Sequence, residues 1–116
     1  MSAVTDAAAT LSAALASVEG VRVYELGASV DPPGVVVGVP RLVWGAYSPE
    51  ITSASFPVYL VVSMDDKSVR QLLTLAPLVA AAIEVATGAT VDAADPGIYP
   101  VGDLPAYLFT AEFPLT

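Results

Sequence analysis

The stretch Ser55-Phe56-Pro57-Val58-Tyr59-Leu60-Val61-Val62-Ser63-Met64, followed at once by Asp65-Asp66, decides the fold. Phe56, Val58, Leu60 and Val62 recur at a period of two and Tyr59 and Val61 fill the alternate positions, so this is a strand with two apolar faces. Behind the aspartates the period changes. Val69, Leu72, Leu73 and Leu75 fall at helical spacing with Lys67, Arg70 and Gln71 outside them, which predicts a helix capped by Asp65 or Asp66. Pro77 lacks a backbone donor and is expected to break or kink this helix, a second segment then running from Pro77 to Ala86 and ending at Gly88.

Working back from this strand, the Ala-rich opening carries Leu11, Leu15 and Val18 as one narrow stripe, with Thr5 as cap, Asp6 in the first turn and Gly20 as terminator. A helix with so many Ala residues fits close against a sheet. Val21, Val23 and Glu25 then alternate with Arg22, Tyr24 and Leu26, giving a strand. Asp31-Pro32-Pro33-Gly34 reads as a turn, Val35 to Val39 as a β-branched strand, and Arg41 to Tyr47 as its partner with a bulge at Gly45.

Working forward, Thr90 to Ala93 is followed by a turn at Asp95-Pro96-Gly97 and a short strand near Ile98 to Val101. A last strand runs from Ala106 to Phe113 with Tyr107, Phe109 and Phe113 on one face. Pro57, Pro105 and Pro114 suit strand starts and edges. The order predicts an α+β fold, a mostly antiparallel sheet with helices packed on one face. No repeat or linker interrupts it, so residues 1–116 read as one domain.

Composition bounds the chemistry. The 116 residues are 55% hydrophobic and 14% charged, with a net charge of -8. A chain of 11.8 kDa exposes roughly 6,000 Å² when folded, and sixteen charged residues cover that thinly. The expectation is apolar surface that meets other protein. With neither Cys nor His, the chain has no thiolate, imidazole ligand or imidazole base. No cofactor or metal is expected, and no catalytic residue is assigned.

Phosphate neutralisation has only Arg22, Arg41, Lys67 and Arg70 to draw on, so sequence-specific nucleic acid binding is not expected. The longest apolar run, Leu72 to Ile83, is short for a bilayer crossing, and the start has no basic residue before Arg22, so a soluble intracellular chain without membrane contact is expected.

The candidate sites each have a plainer reading. Asp65 and Asp66 are adjacent carboxylates, but capping accounts for them. Asp92, Asp95 and Asp103 lack the spacing and closing Glu of a calcium loop. Gly34 and Gly38 flank three valines with no phosphate-loop pattern. Arg41, Trp44 and Tyr47 are the candidate subunit interface, because large amphipathic rings beside an arginine anchor protein contacts; packing within the sheet is the alternative reading. Strand edges near Val35 to Val39 and Phe109 to Phe113 are candidate pairing sites between copies.

Taken together, the opening helix running into Val18-Glu19-Gly20-Val21-Arg22-Val23-Tyr24, the segment Pro32-Pro33-Gly34-Val35-Val36-Val37-Gly38, the strand Phe56 to Val62 before Asp65-Asp66, and the closing Tyr107 to Leu115 strand resemble tail terminator proteins of long-tailed, siphovirus-type phages. The resemblance covers nearly the whole chain. It implies a small α+β subunit that forms a ring, usually of six, on the last ring of the tail tube, stopping polymerisation and joining the tail to the head. The implied partners are further copies of the chain, the major tail tube protein and the head–tail connector protein, with DNA passing through the ring. The implied location is the virion's head–tail junction, after assembly in the host cytoplasm. The nearest alternative is another neck component, a connector or tail completion protein. From other classes, a small carboxylate-dependent enzyme using Asp65 and Asp66, or a monomeric ligand-binding module, would fit the size.

Overall fold

The strand read first from the sequence lies in the middle of the sheet. The computed structural model describes residues 3–25, 27–45, 49–87, 91 and 93–114. Its elements are α1 (Ala3–Ala16), β1 (Arg22–Glu25), β2 (Gly34–Val37), β3 (Arg41–Trp44), β4 (Ile51–Val61), α2 (Ser68–Thr87), β5 (Ala94–Tyr99) and β6 (Leu104–Pro114). All six strands join one sheet in the order β1-β2-β4-β6-β5, with β3 also paired to β4. Every pairing is antiparallel except that of β1 with β2. The fold is α+β in a single compact domain, as the sequence led us to expect.

Alternation along β4 sorts the core. Ala54, Phe56, Val58, Leu60 and, just beyond, Val62 join Leu11, Leu15, Leu72, Val79, Ile83, Phe109 and Phe113 in one buried cluster beneath the helices. The rings of Phe56 and Phe113 meet edge to face at 5.6 Å. The alternate residues face the other way, where Val36, Val61, Tyr99 and Ala106 form a smaller cluster with Tyr24 and Tyr59 against it. There the buried Tyr99 hydroxyl accepts from Gly27 N at 3.2 Å and donates to the Ala28 carbonyl at 3.1 Å. Those bonds pin the connection that brings β2 back alongside β1. Gly27, at φ +89°, makes a turn there that an L side chain resists.

β2 and β3 lie end to end along one edge of β4, pairing with Val58–Val61 and with Ile51–Ser55. At the seam, Gly38 N donates to the Pro57 carbonyl at 2.8 Å. A strand residue's N and C=O point to the same edge, so the donor that Pro57 lacks would also face this seam, where Val39 and Pro40 interrupt the ladder. This corrects the expectation that Pro57 marks a strand start or edge. It sits inside the central strand, paired across to Thr110, because the proline's gap and the partner's bulge coincide.

Other boundaries also move. α1 begins at Ala3, so Thr5 lies inside it and does not cap it; Asp6 remains in the first turn. β3 ends at Trp44, and its register shift falls between Val43 and Trp44, not at Gly45. The Thr52 hydroxyl donates to the Val43 carbonyl there at 3.1 Å. Asp95, Pro96 and Gly97 are strand residues of β5, paired with Leu108, Tyr107 and Ala106. An edge strand tolerates the missing donor of Pro96, and the turn falls instead at Gly102 and Asp103, both of positive φ. Thr90 and Asp92 of the expected segment Thr90 to Ala93 lie outside the described residues, as does the terminator Gly88.

The largest correction concerns the second helix. α2 is continuous through Pro77 for 20 residues. Pro77 removes the donor for the Leu73 carbonyl, and both residues are exposed, so water can take that carbonyl while Leu72, Val79 and Ile83 hold the opposite face in the core. Asp65 leads into the helix: its carboxylate accepts from Lys67 N at 2.8 Å and its carbonyl accepts from the Ser68 hydroxyl at 2.9 Å.

Candidate interaction surface

Among the described residues, two exposed apolar regions bear on assembly. The first is α2, where Leu72, Val79 and Ile83 are buried yet Val69 (66% exposed), Leu73 (59%), Leu78 (51%) and Val85 (87%) are not. The sequence reading had placed Val69 and Leu73 in the buried stripe, and the structure corrects both. A signal was present: at about 100° per residue, the large apolar residues of this helix occupy more than one stripe, and one sheet can cover only one. Residues 68–85 also have the length and mean hydropathy, 1.4, to cross a membrane, with 17% of them buried. The shorter run taken from the sequence understated this helix.

The second region is the end of the sheet at β3. Trp44 is 53% exposed, so it is not a core residue. Leu42, paired with Ala54, packs on the helix side of the sheet, and Arg41, paired with Ser55, lies on the other face. Arg41 and Trp44 stand at opposite ends of the four-residue β3, and Tyr47 lies outside the described residues. Among the described residues, no strand pairs with the outer edge of β3, nor with the outer edge of β6 from Thr110 to Pro114, since β5 stops opposite Phe109. The expected edge at Val35–Val39 is not free: β2 is flanked by β1 and β4.

Arg41 and Glu112 occupy one cross-strand row, each paired to Ser55 of β4 from opposite sides. The same row thus ends in a cation at one edge and an anion at the other. Arg22 meets Asp31 at 4.0 Å, with both side chains largely exposed, which makes it a solvated pair of little energetic weight.

The acidic candidates do not assemble. Asp65 and Asp66 are exposed ahead of α2, Asp92 lies outside the described residues, and Asp95 and Asp103 are exposed on β5 and the turn after it. Among the described residues no group of three or more His, Cys, Asp or Glu side chains could hold a metal. Gly34 and Gly38 are sites of close approach. A Cβ on Gly34 would lie 2.7 Å from Val30, and one on Gly38 would lie 2.7 Å from the Pro57 ring. Their neighbours account for both glycines without a bound phosphate.

In comparison with known proteins, no family model matches the chain and no curated protein aligns with it significantly.

Proposed function

We propose that this chain is an assembly subunit, a ring-forming protein that caps the tail tube of a long-tailed phage, ends tail polymerisation and joins the tail to the head connector. The observation that carries the assembly reading is the β3 end of the sheet. Two different strand edges lie open on its opposite sides among the described residues, with Trp44 beside one of them. Pairing unlike edges of successive copies is a heterologous contact, which closes into a ring when its rotation fits. Arg41 of one copy would then approach the Glu112 edge of the next, so unlike charges favour that order over two like edges meeting. The accessible surface of 6648 Å², above the roughly 6,000 Å² expected for this mass, fits an elongated subunit measuring 51 × 26 × 23 Å. The tail-specific part rests on the sequence resemblance.

Electron microscopy of the chain mixed with phage tail tubes tests the whole reading. Density at one tube end supports it, and bare tube ends at high protein concentration refute it. Trp44→Ala should weaken self-association in light scattering while circular dichroism stays unchanged. Unaltered association would remove Trp44 from the interface.

A further inference from the structure

We infer that the outer face of α2 is a second, separate docking surface, whose occupant is the α2 helix of another copy, antiparallel about a two-fold axis at Pro77. Residues Val69, Leu73, Pro77, Ala81 and Val85 follow one another every fourth position and are all exposed. They form a continuous i±4 row across the outer face of the helix. Grooves flank the row on both sides. One lies between α2 and the sheet, lined by Leu73, Pro77, Tyr107 and Phe109, and the other between α2 and the end of α1, lined by Leu78, Val85 and Val18.

The charges identify the occupant. Arg70 and Glu84 are the only charged residues between Ser68 and Thr87, and each stands seven residues from Pro77. At a rise of about 1.5 Å per residue they lie about 10 Å to either side of it. Both are exposed, at angles about 20° to either side of the Pro77 direction. Laying a second α2 antiparallel across Pro77 sets Arg70 opposite Glu84 of the other copy, twice. It also sets the large Leu73 against the small Ala81, with Val69 and Val85, about 80° to either side of Pro77, at the margins of the contact. Parallel pairing would oppose Arg70 to Arg70 and Glu84 to Glu84, so the charges select the antiparallel order.

A surface that complements itself in this way makes an isologous contact, which closes at two copies. It leaves the β3 edge free, so the two-fold pair and the proposed ring use different surfaces. The pairing also accounts for a long apolar helix that the chain's own sheet covers on one side only.

Sedimentation of the full chain carrying Trp44→Ala, which weakens the proposed β3 contact, over a wide concentration range, with circular dichroism as the check on folding, tests the pairing. The expected result is a monomer–dimer equilibrium that Glu84→Arg weakens about tenfold or more, a loss of at least about 1.4 kcal/mol. Arg70→Glu should do the same, and the double exchange Arg70→Glu with Glu84→Arg should restore the dimer. Because the chain has no cysteine, Pro77→Cys gives an independent measurement. Under mild oxidation it should form a disulfide-linked dimer, whereas Thr10→Cys on the exposed side of α1 should not.

A chain that stays monomeric at every concentration overturns the pairing. So does a dimer indifferent to Glu84→Arg, or a monomer that floats with phosphatidylcholine vesicles, which would assign the helix to a membrane. The tail reading fails separately: a charge-sensitive dimer that never decorates a tube end keeps this pairing and refutes that reading.

Discussion

The two helices lie on the same face of the same sheet and treat their apolar residues in opposite ways. α1 has one narrow stripe, and Leu11 and Leu15 on it are fully buried, with Ala residues around them. α2 buries Leu72, Val79 and Ile83 but leaves four large apolar side chains in the open. A helix whose apolar residues fit one stripe is satisfied by the fold of its own chain. One that is apolar on two sides carries a surface the fold cannot use, and apolar area kept exposed points to a partner.

The sharpest way to break this contrast is the same substitution on both helices. Leu15→Ala should cost about 3 kcal/mol of stability in urea unfolding, because it empties a fully enclosed site. Equal losses for Leu15→Ala and for a change at Leu73 would mean that the α2 row belongs to the monomer's own core. A smaller effect is expected at Pro77. In the Glu84→Arg background, where pairing is weakened, Pro77→Ala should raise stability by about 1 kcal/mol, since the helix regains a donor to the Leu73 carbonyl. No gain would show that the proline is better accommodated than its missing hydrogen bond suggests. Smallest of all, Leu73→Gln in the same background should change unfolding stability by less than about 0.5 kcal/mol, as an exposed position does, while solubility at high concentration improves.

The candidate site was partly legible beforehand. Trp44 could be singled out as an amphipathic ring on a strand, but its exposure is set by the assembled sheet and not by its neighbours in sequence. Val69 and Leu73 were misplaced for a related reason. Helical spacing says which residues share a stripe, whereas the choice of stripe to bury is made by the sheet beneath.

By itself, the amino-acid sequence determined the two-faced strand from Ser55 to Met64, the single stripe of α1, the α+β order of elements and the thin covering of charge, because alternation and helical spacing act over a few residues and composition needs no fold. Tertiary structure alone decided that Pro57 could stand in the middle of the sheet, that α2 would run unbroken through Pro77, that Asp95-Pro96-Gly97 would pair as a strand, and which side of α2 would remain bare. In each of these cases a local preference is overruled by a distant partner. A bulge opposite Pro57, a buried face opposite Pro77 and a long neighbouring strand beside Pro96 offset the missing donor, and none of them can be read from the residues next to the proline.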